Sequence, residues 1–176
     1  ELEIGEKIPL IDHTLVNING KSITLNKIRG KNGTLVIFSC NTCPWVIRWE
    51  GRYVDIANRY IKKGIGMIAI NSNVSRFSGD DSLNKMKKHA MKSNYNFPYA
   101  QDPKAQLAYA FGAKKTPHVY LFDSKDNLVY RGAIDDNARD AKSVEEPFLT
   151  NALDLLLAGK KINKESSKAI GCSIKF

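Results

Sequence analysis

No apolar run in the chain approaches the roughly 20 residues that a membrane-spanning helix needs. Cysteine is scarce: the three present are too few for a disulfide scaffold. Histidine is equally sparse, and His13, His89 and His118 show no ligand spacing, so the roughly four ligands of a zinc site are not assembled. Metal, nucleotide and flavin motifs are all missing, and no cofactor is expected. There is also no internal repeat and no low-complexity tract. Acidic residues are in deficit, 18 against 27 basic, which leaves a formal charge of +9. The basic residues are scattered as separate pairs, Lys62-Lys63, Lys87-Lys88, Lys114-Lys115 and Lys160-Lys161. Without a basic arm or interleaved aromatics they argue against a nucleic-acid partner. They leave a solvated surface, or electrostatic steering of a protein partner, as the readings.

What is present is an ordinary globular composition, with 43% hydrophobic and 26% charged residues over 176 positions. That predicts a single domain over 1–176 with a real core. Leu10 to Leu25 reads as two short strands around the turn Asn17-Ile18-Asn19-Gly20, and Lys27 to Gly33 as a connector. Residues 1–33 therefore form an N-terminal hairpin extension. Thr34 to Phe38 is a continuous β-branched and apolar run, as in a strand buried on both faces. From Pro44 to Lys63, Val46, Trp49, Tyr53, Ile56, Ala57 and Tyr60 recur at helical spacing, and Gly64 is the stop. Ile65 to Ile70 is a second buried strand, which completes a βαβ unit.

Further along, the pattern predicts a helix over 80–93 started by acidic residues and a short strand within 95–100. A helix follows with Pro103 at its first position and Gly112 as its stop. Residues 119–122 and 127–130 bracket a hairpin turn, a last helix runs from about 146 to 158, and 160–176 form a tail. This order is that of an α/β thioredoxin fold, a central mixed β-sheet flanked by helices, with the hairpin added at the front.

The chemistry-bearing motif is Cys40-Asn41-Thr42-Cys43-Pro44, at the junction of strand and long helix. A C-x-x-C pair beside a βαβ unit is a thioredoxin-like redox signal. The reactive species is the thiolate, and unpaired amides at a helix N-terminus stabilise it. Pro44 suits the first helical position, where its missing N–H costs nothing, and that makes Cys43 the N-cap and the activated thiol. Cys40 is then its disulfide partner. In the rival register Cys40 is the exposed nucleophile and Cys43 lies one turn inside; inert core cysteines are a third reading. Thr116-Pro117, opening a strand after a loop, is either a cis bond facing the cysteines, where a thiol substrate docks on exposed backbone, or an ordinary loop proline.

Several segments together carry a resemblance: Phe38-Ser39-Cys40-Asn41-Thr42-Cys43-Pro44-Trp45-Val46, Ala69-Ile70-Asn71-Ser72-Asn73, Thr116-Pro117, the run from Val129 to Asp136, and Ile170-Gly171-Cys172-Ser173-Ile174-Lys175-Phe176. In this order they resemble bacterial thioredoxin-like proteins of the peroxiredoxin and alkyl hydroperoxide reductase (redoxin) superfamily. The resemblance places Cys43 at the peroxidatic position. Two departures stand out: Cys40 occupies the place of the family's threonine or serine, and Val36 that of its proline. The thiolate-stabilising arginine of peroxiredoxins falls near Pro117, which makes Arg48 and Arg131 the candidate substitutes, or else ordinary surface arginines.

Cys172 is either a resolving cysteine on a tail that folds back or a structural thiol in a terminal β segment. Asp135-Asp136 reads as a turn or cap, Trp45 as part of the site entrance and Trp49 as core. The resemblance implies a thiol–disulfide oxidoreductase working through Cys40 and Cys43, with Thr116 and Pro117 docking substrate. Its alternatives are a thiol-dependent peroxidase and a non-enzymatic redox sensor. The implied partners are a thioredoxin-like thiol reductant and a disulfide or peroxide substrate, with the protein a monomer or homodimer. The compartment stays open in the sequence, between the bacterial cytoplasm and, if a signal peptide preceded Glu1, the periplasm or cell envelope.

Overall fold

In the computed structural model, which describes residues 1–176, the run that reads as a doubly buried strand is the middle of the sheet. Gly33–Phe38 (β3) pairs parallel with Ile65–Asn71 (β4) and antiparallel with His118–Phe122 (β7). Leu128–Gly132 (β8) closes one side; Tyr99–Gln101 (β5), Leu15–Asn17 (β1) and Ser22–Ile23 (β2) extend the other. The resulting order is β2-β1-β5-β4-β3-β7-β8. A separate two-stranded ribbon joins Lys115–Thr116 (β6) to Cys172–Ser173 (β9) in the tail.

Because successive strand residues face opposite sides, β3 feeds two cores. Leu35 and Ile37 pack with Val46, Trp49, Tyr53 and Ile56 of the helix Pro44–Tyr60 (α2) and with Leu149 and Leu153 of Phe148–Leu157 (α5). Val36 and Phe38 pack on the other face with Leu107 and Phe111 of Gln106–Phe111 (α4). There Phe38, Phe111 and Tyr120 meet edge-on, with centroids 5.1 to 5.8 Å apart. Removing such a ring from a full core costs about 3–5 kcal/mol. This is the thioredoxin fold, with the hairpin β1–β2 added at the sheet's edge. No helix is long and apolar enough to cross a membrane.

Local structure departs from expectation in five places. Residues 25–28, read as connector, form the short helix Leu25–Ile28 (α1), because the Thr24 hydroxyl accepts from the Lys27 amide. The helix Leu83–Lys92 (α3) starts later than 80 and is capped by Ser82, so the preceding acidic pair is not its cap. The strand within 95–100 shortens to β5, since Tyr95 and Phe97 stack on each other at 4.7 Å instead of extending the ladder. Pro103 is not the first residue of α4. Ala105 takes a left-handed φ of 53° and begins the helix, while the Asp102 carboxylate reaches forward to accept from the Ala108 amide at 3.1 Å. α2 itself ends at Tyr60, short of the expected Lys63; Ile61–Lys63 form one 3-10 turn, and Gly64 (φ 86°) takes the left-handed conformation that ends that turn.

Candidate active site

β3 ends at Phe38, and the Ser39 amide is held by the Ile70 carbonyl of β4, so the chain emerges at the carboxyl end of two parallel strands. Cys40 to Cys43 then cross to α2. Cys43 has extended backbone angles (φ −69°, ψ 123°) and is the N-cap, with Pro44 opening the helix. Both cysteines are buried, at 2% and 3% exposure. The Thr116-Pro117 bond is cis and lies against them. Cys40 Sγ is 3.4 Å from Thr116 Oγ1, and Cys43 Sγ is 3.2 Å from the Thr116 carbonyl oxygen, to which its thiol form donates.

Cys172 comes from the far end of the chain and places its Sγ 2.7 Å from Cys43 Sγ. All three thiols are free, and Cys40 and Cys172 both act on Cys43. Their acidities diverge. The hydrogen bond from Cys40 draws the Cys43 thiol down to about 4 against the opposing effect of burial, with help from Cys172 and from the Val46 amide in the first turn of α2. The same interaction with Cys43 pushes Cys40 far up, and burial and the charge of Asp81 push it further. Burial and Cys43 together raise Cys172 to about 11. The cluster thus holds one negative charge, on Cys43, flanked by two protonated thiols.

Beneath the cysteine loop lies a polar floor that the sequence did not announce. Asp81 is fully buried. Its Oδ1 accepts from the Asn41 amide at 3.0 Å and from Asn71 Nδ2 at 2.8 Å, and its Oδ2 accepts from Asn73 Nδ2 at 2.9 Å. The Asn41 side chain donates to the Asp80 carbonyl (2.8 Å) and accepts from the Tyr99 hydroxyl (2.9 Å). The network joins the cysteine loop, the end of β4, β5 and Asp80-Asp81, which fixes the loop between the cysteines. The only sequence signal was the run Asn71-Ser72-Asn73 at the end of β4, with the acidic pair Asp80-Asp81 further along the chain.

Arg48 and Arg131 are not brought to Cys43. Arg48 is exposed, with its guanidinium 5.4 Å from the Trp45 ring centroid. Arg131 is bound to the N-terminal segment, through the Leu2 carbonyl and, at 3.3 Å, the Glu3 carboxylate. Arg76 and Lys175 line a cavity of about 180 Å³ with Cys43, Cys172 and Asn73, and the charges of Lys175 and Lys115 act on Cys172. Trp45 is half-buried at the start of α2, whereas Trp49 is core and donates to Asp135 Oδ1 at 2.9 Å. Asp135 also binds Arg52 at 2.6 Å and caps Asn137, so it is a structural clamp rather than half of a catalytic pair. No group of three His, Cys, Asp or Glu side chains is placed to hold a metal.

Residues 3–147 match the Redoxin family model. The chain belongs to the redoxin family. In a search of curated proteins no match was found. Among solved structures, this redoxin is similar to an uncharacterized conserved protein from Geobacillus kaustophilus, with 35% identity, a TM-score of 0.92, and 100% and 93% of the two chains covered. It is also similar to a hypothetical protein from Sinorhizobium meliloti 1021, with 30% identity, a TM-score of 0.91, and 100% and 96% covered. Peroxidoxin BcpB from Mycobacterium tuberculosis shares the fold at 14% identity and a TM-score of 0.68, over 90% and 98% of the chains. Family and cysteine geometry agree on thiol-based redox chemistry.

Proposed function

We propose that this redoxin is a thiol–disulfide oxidoreductase whose attacking group is Cys43 and whose resolving group is Cys40. The observation that carries the reading is the placement of the pair: Cys43 is the N-cap of α2 with its Sγ 3.2 Å from the Thr116 carbonyl of the cis Thr116-Pro117 bond, and its thiol is drawn down while that of Cys40 is pushed up. The Cys43 thiolate attacks one sulfur of a substrate disulfide, and the other sulfur leaves as a thiolate that takes up a proton. Cys40 then gives up its proton and attacks Cys43 Sγ in the mixed disulfide, which expels the second substrate thiol. The substrate is reduced by two electrons and the protein holds a Cys40–Cys43 disulfide. An external dithiol reductant reverses the sequence.

The test uses a chromogenic small disulfide with single-cysteine variants. Cys43→Ser is expected to abolish turnover. Cys40→Ser, made together with Cys172→Ser so that no second thiol can resolve it, is expected to keep the first attack and accumulate a mixed disulfide on Cys43. Equal loss in both variants, with no trapped adduct, would overturn the assignment.

One observation favours a peroxidase as the second reading: Cys172 stands 2.7 Å from the thiolate, placed to attack it after oxidation. In that chemistry the Cys43 thiolate takes an oxygen from hydrogen peroxide, a sulfenic acid forms, and Cys172 displaces water to give a Cys43–Cys172 disulfide. Against it stand the cysteine at position 40 and the placement of both candidate arginines away from the sulfur. Stopped-flow oxidation of Cys43 faster than that of a free thiol, with Cys172 as the paired residue, would establish this reading. Oxidation at the free-thiol rate removes it.

A further inference from the structure

Disulfide exchange runs along a line of sulfurs, so the sulfur to be attacked must lie next to the thiolate in the open direction. In this redoxin that place is taken. Cys172 Sγ sits 2.7 Å from Cys43 Sγ, and Cys43 is left 3% exposed. The sulfur arrives on an extended segment that adds to the edge next to the cis-proline: Cys172 pairs antiparallel with Thr116 and Ser173 with Lys115.

The neighbouring residues are seated as well. The Ile174 amide donates to the Lys114 carbonyl at 3.0 Å, and its side chain is 5% exposed within the second core. The Lys175 amide donates to Asn73 Oδ1 at 2.8 Å, and its carbonyl accepts from the Ser75 amide and hydroxyl at 3.1 and 3.0 Å. Phe176 stacks on the exposed Tyr109 at 4.5 Å. On the other side, a Cβ at Gly171 would overlap the Thr116 carbonyl oxygen, so only glycine allows the strand this close.

We propose that the segment Gly171–Ile174 is a tethered stand-in for substrate, and that the groove it fills receives an extended polypeptide in which the reacting cysteine follows glycine and precedes, by two residues, a buried apolar side chain. The inference rests on the exchange activity proposed above and names its substrate class. The tail and an external segment compete for the same edge, by strand addition and with one pocket reading one side chain. The tail therefore gates Cys43 against polypeptides until it is displaced.

The experiment uses the full chain and two tail-releasing variants, Gly171→Val and Ile174→Asp, each first checked for native circular dichroism. The probe is the octapeptide Ala-Ile-Gly-Cys-Ser-Ile-Lys-Phe with its cysteine in a chromogenic mixed disulfide. A second form, with serine in place of cysteine and a fluorescent label, reads binding without chemistry. Both variants are expected to bind the serine peptide about tenfold or more tighter than the wild-type chain, and to react faster with the disulfide form. A peptide with valine in place of its glycine is expected to lose that binding.

Equal binding by wild type and both variants, or equal binding of the glycine and valine peptides, would overturn the proposal. Should no variant release chromophore from any disulfide, exchange activity itself is refuted, and the claim about a substrate class falls with it. Binding of the serine peptide then still reports whether the tail is a displaceable strand. If small disulfides react but the peptides neither bind nor discriminate, the exchange reading stands and the tethered-substrate reading fails.

Discussion

On one side of Cys43, the loop from Cys40 to Thr42 rests on Asp81, which is fully buried and receives three hydrogen bonds from residues of two other segments. On the opposite side, Cys172 is half-buried and reaches the same sulfur from a two-residue strand whose flanks are largely exposed. The two walls around this sulfur differ in how easily they open. A satisfied buried network gives up much free energy when opened, whereas a short edge strand held by one buried side chain and a few surface contacts opens locally at lower cost. The floor therefore fixes the loop that carries the two cysteines, and on the proposal above the tail decides which substrates reach Cys43.

Breaking the floor has the largest expected effect. Asp81→Ala strands three buried donors and is expected to cost roughly 3 kcal/mol or more of global stability, read by urea denaturation. Asn41→Ala removes the acceptor of the Tyr99 hydroxyl and is expected to cost about 1–3 kcal/mol by the same measurement, with the cysteine loop loosened. At the other wall, Phe176→Ala removes one exposed aromatic stack worth about 0.5–1.5 kcal/mol. It is expected to leave the urea midpoint nearly unchanged while speeding hydrogen exchange at the Ile174 amide. A tail variant that lowers global stability as far as Asp81→Ala would erase the distinction between the two walls.

Much of the fixed wall was legible because its signals are local. β-branched residues mark β3 and β4, helical spacing marks α2, and Pro44 at the first helical position makes Cys43 the N-cap. Asp81 was not legible. Its partners lie at 41, 71 and 73, brought together only by the folded sheet, and in the linear chain an acidic residue before a helix looks like a cap. Arg48 misleads for a geometric reason. Five residues along a helix turn through five hundred degrees, which leaves it about 140° around from Cys43. Arg131 alternates with buried Tyr130 and Gly132 on β8 and so faces away from the α2 core, toward the N-terminal segment. The tail could be read as docking somewhere from its apolar end, but the partner edge, β6, is two residues long and has no pattern of its own.

The account stands on a single charge held by Cys43, and the most direct measurement is the ultraviolet absorbance of the thiolate in the reduced protein as a function of pH. Because the acidity is increased by folding, the thiolate is present above the folded value and lost as pH falls through it. The account predicts one step near pH 4, absent in Cys43→Ser, and a further thiolate near pH 11 that is absent in Cys172→Ser. A first step at the ordinary thiol value, or a low step that survives Cys43→Ser, would contradict it.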